Sequence, residues 1–295
     1  MPHAIALQQH PTFAAALRAC GQEPLLVEGA SPLLFLYRRL ACGLPVAMLS
    51  RPALNDETLA KLPELVKSAT LHRTPLIIAP DHPAPGLARL GAVPVMTPAT
   101  IAELDLTARE DTRLALQHQK WRNRLRHAGR QGLHVTRTPM PSDAGHWLLA
   151  ADNVQRRARH YRTWPATLTA ALARADPCSA PLFTAWKDGE RVAGMLFLIH
   201  GCGATYHIGH TTPRGKALSA HTLLLWEASC WLAQRDITTL DLGLLDTRTN
   251  PGLARFKLGS GATARCLGGT WLWWPPLGRT LAPLARLDAR AFAPA

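Results

Sequence analysis

The stretch Pro213-Arg214-Gly215-Lys216-Ala217-Leu218-Ser219-Ala220 has the residue types best suited to hold an anion. It lies between a predicted strand and the amino end of a predicted helix. Small residues there let backbone N–H groups approach a phosphate. The helix dipole adds positive potential, and Arg214 and Lys216 add full charges. A plain turn with a good cap fits the same residues equally well. Spacing excludes several other chemistries. Gly209 to Gly215-Lys216 is one residue too long for a Walker A loop, and Ala217 stands where a magnesium-binding hydroxyl belongs. Gly259-Ser260-Gly261 is no nucleophile elbow, and H-E-x-x-H does not occur. His207 and His210, three apart on a predicted strand, should face opposite sides and share no metal. The six cysteines (Cys20, Cys42, Cys178, Cys202, Cys230, Cys266) form no C-x-x-C pair and read as reduced, buried thiols. No metal site is expected.

Charge points to an anionic partner. The net charge of +13 is concentrated: residues 1–104 are nearly neutral, whereas residues 113–137 hold seven basic side chains and no acidic one. A second cluster, Arg156-Arg157-x-Arg159-x-x-Arg162, follows. Such patches attract phosphates, nucleic acid or anionic membrane. A length of 295 residues with 47% hydrophobic and 18% charged side chains suits one large or two medium globular domains. That composition excludes disorder, coiled coil and collagen. No apolar run approaches the roughly 18 residues of a membrane span. Met1-Pro2-His3 opens no signal peptide, so a cytoplasmic location is expected. The tail Leu277–Ala295, with Leu281, Leu284 and Leu287, is expected to dock on the body or to touch a membrane peripherally as an amphipathic helix.

The elements that would position these groups occur twice. Ala53–Leu59 resembles Ala217–Leu223, Thr74-Pro75-Leu76 resembles Thr238-Thr239-Leu240, and Pro85–Leu90 resembles Pro251–Phe256, in the same order at offsets of 164, 164 and 166. This predicts an internal duplication. In the first copy, strands are expected over Leu33–Arg39 and Pro45–Ser50. A helix capped by Asn55 follows to about Ala69, kinked or split at Pro63. Then come a strand over Pro75–Ala79, a short helix over Pro85–Leu90 and a strand over Ala92–Met96. In the second copy, Leu182–Trp186 and Val192–Ile199 form a hairpin through Asp188-Gly189, and Ala204–His210 adds a strand. A helix capped by Ser219 reaches Gln234 with Leu223, Trp226, Cys230 and Ala233 inward. A strand over Thr239–Leu242, a helix over Asn250–Leu258 and a strand over Ala264–Trp274 complete it. Between the copies, Thr107-x-x-Glu110 reads as a capping box opening one helix to the Gly129/Gly132 region, with Leu114, Trp121, Leu125 and Ala128 inward.

A resemblance now becomes visible. Arg214-Gly215-Lys216-Ala217-x-Ser219 resembles the R-G-x-G-x-G/A loop with which GNAT acyltransferases hold the pyrophosphate of acyl-coenzyme A, although Ala217 and Ser219 replace two glycines. Leu223–Ala228, Asp241-Leu242-Gly243 and Gly252-Leu253-x-Arg255-Phe256-Lys257-x-Gly259-x-Gly261 resemble the FemAB/FemX-like branch of that superfamily. Lys120–Ala128 ahead of Gly132–Val135 resembles the basic helix leading into that branch's second domain. The resemblance covers about 105–274, and reaches 33–100 only through the repeat.

It implies an α/β fold of the α+β type: two GNAT-like lobes, each a mixed, largely antiparallel sheet flanked by helices. The divisions expected are a degenerate lobe over 1–104, a basic connecting helix over 105–131 and a site-bearing lobe over 132–295. On the family pattern Lys257 lies at the reaction centre and stabilises the oxyanion formed when an amine attacks an acyl carbonyl. Asp241, His210 or substrate-bound water would take the proton. Arg214, Gly215, Lys216, Ala217 and Ser219 would hold the donor, with acyl-coenzyme A as co-substrate. Phe256, Tyr206, Trp226, Lys120, Arg122 and Arg126 are candidate substrate contacts. The implied activity is N-acyl transfer from acyl-coenzyme A or an acyl carrier protein to an amine. Aminoacyl-tRNA-dependent transfer to a peptidoglycan precursor is the alternative within the class. A catalytically dead basic module for nucleic acid or membrane is the alternative outside it.

Overall fold

A computed structural model describes residues 4–28, 32–159, 163–280 and 283 of the chain. Its first half runs α1 (Pro11–Ala19), β1 (Pro24–Val27), β2 (Leu33–Arg39), β3 (Pro45–Ser50), α2 (Asp56–Ser68), β4 (Leu76–Ala79), β5 (Val93–Met96) and β6 (Thr100–Asp105). There follow α3 (Glu110–Leu116), α4 (Gln119–Gly129), β7 (His134–Pro139), α5 (Trp147–Arg159) and α6 (Ala166–Ala175). Next come β8 (Pro181–Lys187), β9 (Glu190–His200), β10 (Gly203–Thr211), α7 (Pro213–Ala217) and α8 (Ala220–Ala233). The described chain ends with β11 (Thr239–Leu244), α9 (Pro251–Gly259), β12 (Thr263–Cys266) and β13 (Thr270–Trp273). The tail from residue 281, apart from Pro283, lies outside the described residues, as do Tyr161, Arg162 and the side chain of Arg159. Among the described residues no helix is long and apolar enough to cross a membrane.

Two compact units result. One contains Gln8–Thr100 and the segment from Cys266 on, and the other contains Ile101–Arg265 with the first residues of the chain. The first unit holds a six-stranded sheet in the order β1-β2-β3-β4-β13-β5, and the second a seven-stranded sheet in the order β12-β6-β11-β10-β9-β8-β7. In each, one parallel pair (β3 with β4, β10 with β11) is joined by a crossover helix; β1 with β2, β2 with β3, β13 with β4 and β5, β6 with β11, and β7 through β10 in succession pair antiparallel. The two orders match strand for strand except for the extra β7, as a duplication requires. One detail departs from the expected divisions. The run 264–274 is not one strand: β12 ends in the second sheet, and β13 enters the first sheet between β4 and β5. Reciprocally, β6 leaves the first repeat and pairs with β11. Each sheet thus takes the strand that follows the other repeat. The expected lobe 132–295 therefore gives up its last strand, and residues 101–104 join the unit it forms.

Burial explains the elements. In the first unit Phe35, Leu49, Leu62, Leu76, Ile78 and Trp271, which is 0% exposed, form one core. Asn55 Oδ1 accepts the Thr58 N–H at 2.7 Å and starts α2, which then runs through Pro63 without a break. A proline inside a helix costs about 3 kcal/mol. Burying Leu59, Leu62 and Val66 outweighs that, at about 1.5–3 kcal/mol each. In the second unit Phe183, Met195, Phe197, Leu224, Leu225, Leu232, Leu240 and Leu242 form the core beneath α8. The inward face of α8 is therefore Leu224, Leu225, Ala228 and Leu232, one position round from the stripe the sequence suggested. The hairpin turns at Asp188 and Gly189, both with positive φ, as a two-residue type I′ turn demands.

The expected long basic helix is two helices. Thr107 binds Asp105 instead of capping, and the helix starts after Arg109 without a side-chain cap. It stops at Gln117 because Arg122 Nη1 donates to the carbonyls of Ala115 (2.8 Å) and Gln117 (2.6 Å). His118 then caps α4 through the Lys120 N–H. Leu114 is consequently exposed, whereas Trp121 and Ala128 are buried.

Candidate functional site

Strands β10 and β11 pair only over Gly203–Thr205 and Thr239–Asp241, although β10 continues to Thr211 and β11 to Leu244. Two irregularities part them. A bulge at His207 shifts the register of β10 against β9, and the pairing of β11 with β6 slips between Asp241 and Leu244. Gly243, at φ +79°, makes the second turn possible. Beyond Thr205 and Asp241 the two parallel strands diverge within one sheet.

Lys257 comes to that divergence from the last turn of α9. It is only 5% exposed, and its Nζ donates to the Leu244 carbonyl at 2.8 Å. A Cβ added at Gly243 would stand 3.6 Å from the same nitrogen. Asp241, 6% exposed, accepts the Gly243 N–H on Oδ1 at 2.6 Å and so locks the turn. Burial pulls the Lys257 pKa down from 10.5 to about 8, and the Asp241 charge opposes that fall. The family pattern placed Lys257 at the reaction centre, and the structure buries it at the end of α9.

Helix α9 is held in turn by α4. Trp121 Nε1 donates to the Phe256 carbonyl at 3.1 Å, and the His118 N–H donates to the Gly259 carbonyl at 3.0 Å. A side chain at Gly259 would strike Trp121. Phe256 faces Trp121 at 6.2 Å and His221 at 6.3 Å between centroids. His221, unassigned by sequence reasoning, lies in the first turn of α8 with Nε2 2.8 Å from the His210 carbonyl. Burial lowers its pKa to about 4, so it is neutral near pH 7 and donates Nε2–H to that oxygen. The repeat had aligned this position with Glu57, which is exposed; only the placement of α8 over β10 gives it a role.

The other candidates are placed as follows. The His210 ring stands edge-on to Trp147 of α5 with Nδ1 buried and without a partner. His207 binds the Thr169 hydroxyl of α6 at 2.8 Å and packs on Trp164, and burial lowers its pKa to about 4. Both histidines thus lie on the α5/α6 side of the sheet, because the bulge at His207 breaks the alternation that would separate them. Among the described residues no three His, Cys, Asp or Glu side chains are grouped to hold a metal. Tyr206 lies half-buried against Phe197, its hydroxyl over Gly209, where a Cβ would collide with it. Trp226 does not reach the divergence. It packs under the Arg113 guanidinium, in a pocket lined by Gln117, Trp121, Ser229 and Ser260. Arg122 is spent on terminating α3, Arg126 reaches Asn123 at 3.2 Å, and Lys120 is exposed.

The segment expected to cradle a phosphate is an internally hydrogen-bonded helical turn. Residues Pro213–Ala217 form the short helix α7, capped by Thr212, whose Oγ1 takes the Gly215 N–H at 3.1 Å. Gly215 is glycine for packing, since a Cβ would overlap the Val192 carbonyl. Arg214 is held by Glu190 at 3.0 Å and by Asp188 across the hairpin. The N–H groups of Lys216, Leu218 and Ser219 donate to Thr212, Arg214 and Lys216 carbonyls. Ser219 takes positive φ and offers no side-chain cap, and Ala217 presents its carbonyl to His127. Lys216, like Arg214 and Ala217, is exposed, and among the described residues its side chain has no hydrogen bond or ion pair.

Residues 116–258 match the family model of the acetyltransferase (GNAT) domain, a span that starts at the end of α3 and closes just after Lys257. The fold matches the crystal structure of FemX with a TM-score of 0.76 at 14% identity, covering 94% of each chain. L-PGS from Bacillus licheniformis matches at 0.56 and 14%, covering 98% of each chain. The C-terminal DUF2156 domain of a protein named as a lysylphosphatidylglycerol synthetase in Agrobacterium fabrum matches at 0.56 and 17%, covering 97% of this chain and 93% of that one. No curated protein matches by sequence.

Proposed function

From a chain that carries a GNAT acetyltransferase domain and is folded like FemX, we propose an N-acyltransferase that moves an activated acyl group onto an amine. The observation that carries this is the buried Lys257 ammonium at the divergence of β10 and β11, steadied by the Leu244 carbonyl and faced by the Asp241 charge. An acceptor amine attacks the acyl carbonyl, and negative charge develops on its oxygen. A preorganised ammonium in a water-poor setting stabilises that oxygen more than the ground-state carbonyl. Collapse expels the thiol or hydroxyl of the donor and leaves an amide. Asp241 spends one oxygen on Gly243, so it serves chiefly to hold the turn and the charge of Lys257. His210 or solvent takes the amine proton. Lys216, Phe256 and Tyr206 would contact the donor and the acceptor. Release of free thiol from acyl-coenzyme A in the presence of pooled amines, read with mass spectrometry of the products, tests the assignment. No amide from any activated donor would overturn it.

One observation favours a second reading of the donor. The turn through α7 engages the N–H groups of Gly215, Lys216, Leu218 and Ser219 internally, whereas exposed Lys120, Arg124, Arg126 and Arg130 lie along α4 and its end. That pattern suits an aminoacyl-tRNA, held by its backbone charge, better than coenzyme A. Transfer from charged tRNA that weakens steeply with salt supports it. Saturable use of acyl-coenzyme A, insensitive to salt, counts against it.

A further inference from the structure

Trp231, near the carboxyl end of α8, carries two stacked guanidinium groups. Arg235 lies 3.8 Å from a ring centroid of the indole and Arg137, reaching across from β7, lies 4.6 Å away. Phe183 meets the same indole edge-on at 5.8 Å and steadies it. Both arginines are exposed, and among the described residues neither has a carboxylate or carbonyl partner. Asp236, next in sequence to Arg235, makes no ion pair with it. Arg214, by contrast, is neutralised by Asp188 and Glu190, Arg265 by Glu103, and Arg51 by Asp81.

Two like charges held within a Debye length of about 10 Å repel each other. Cation–π contact with the shared indole offsets part of that repulsion and fixes both groups. A guanidinium held over an indole at these distances keeps N–H donors free, and such donors recognise phosphate oxygens. With guanidinium on the indole, the site offers charge and donors rather than an aromatic surface for a nucleobase. No large exposed apolar side chain lies on the described parts of β7 or α8, as insertion into a lipid surface would need. Ten residues of helix, about 15 Å, separate Trp231 from His221 at the candidate reaction centre.

We propose that Arg137 and Arg235, splayed on Trp231, bind phosphates of an RNA backbone, the carrier portion of an aminoacyl-tRNA donor. This rests on the second reading of the donor given above. The test is the fluorescence anisotropy of labelled, uncharged tRNA titrated with the full chain across a salt series. Replacing both arginines by alanine should weaken binding on the order of tenfold or more and make the log–log salt slope shallower by roughly 1.5, the share of two phosphate contacts. Arg137→Lys with Arg235→Lys should restore most of the slope. Transfer from a small acyl thioester of N-acetylcysteamine, which has no phosphate, should be unchanged in every variant. Wild-type affinity and slope in the double alanine variant would overturn this site while leaving the tRNA reading intact. A wild-type chain that ignores tRNA would overturn both. Loss of binding to phosphatidylglycerol vesicles, with tRNA binding intact, would reassign the pair to a lipid headgroup and overturn the proposal.

Discussion

Lys257 Nζ donates to the carbonyl of Leu244, which lies thirteen residues earlier and just beyond the turn that Asp241 locks through the Gly243 N–H. The ammonium is therefore fixed by backbone, and its strongest nearby counter-charge is a carboxylate already engaged elsewhere. That combination leaves it able to turn towards new negative charge, and it ties activity to pH and to stability.

Lys257→Met should lower kcat on the order of 10²–10³-fold with little change in KM, the loss seen when one oxyanion donor is removed. The wild-type rate should fall as pH rises through about 8, where the ammonium loses its proton, and the residual rate of the variant should lack that limb. Stability carries a separate signature. The unfolded lysine titrates near 10.5 and the folded one near 8, so below pH 8 the charge costs the fold about 3 kcal/mol. The unfolded state binds more protons, and wild-type stability should gain on the variant between pH 8 and 10.5. The variant leaves the Leu244 carbonyl unpaired, at about 1–3 kcal/mol. Urea unfolding at several pH values checks this. A pH-independent difference would contradict the buried ammonium.

Asp241→Asn keeps a side-chain acceptor for Gly243 but removes the charge that supports the Lys257 proton. The alkaline limb of the rate profile should move to lower pH, with a smaller loss of kcat at pH 7 than Lys257→Met causes. An unmoved limb would show that Asp241 does not act through Lys257.

The turn before α8 separates packing from binding. Gly215→Ala should destabilise the protein by about 1–3 kcal/mol, because its Cβ overlaps the Val192 carbonyl. Arg214→Ala should leave donor KM and melting temperature nearly unchanged, since Arg214 faces Asp188 and Glu190 at the surface. Lys216→Glu should raise donor KM severalfold with the fold intact. Equal KM effects from Arg214 and Lys216 would restore the open phosphate loop that the sequence suggested.

Acid should destabilise the second unit before general carboxylate titration. His207 and His221 have folded pKa values near 4 against 6.5 unfolded, so their contribution is present above pH 6.5 and lost as pH falls towards 4. Each accounts for up to about 3 kcal/mol. His207→Gln with His221→Gln should flatten the stability profile between pH 4 and 6.5 in denaturant titrations. An unchanged profile would place the acid sensitivity elsewhere.

The sequence by itself determined the repeated order of elements, the Asn55 cap and the Asp188-Gly189 hairpin, because caps, turns and apolar periods are local properties; the fold class came from the resemblance its motifs carry. It also singled out Lys257, from a motif at a helix end. Only the tertiary structure decided what the non-local contacts control. Arg122 breaks the basic helix by reaching back to Gln117, and a bulge at His207 puts two histidines on one side of the sheet. The final run of the chain divides between two sheets, since each sheet needs the strand that follows the other repeat. Arg214 looked like a phosphate ligand until the hairpin brought Asp188 and Glu190 to it. The motif named Lys257, but only its approach to the Leu244 carbonyl buried it and took its pKa to about 8. Residue type set what each group can do; which groups stayed available was settled by partners distant in sequence, whose approach no local pattern encodes.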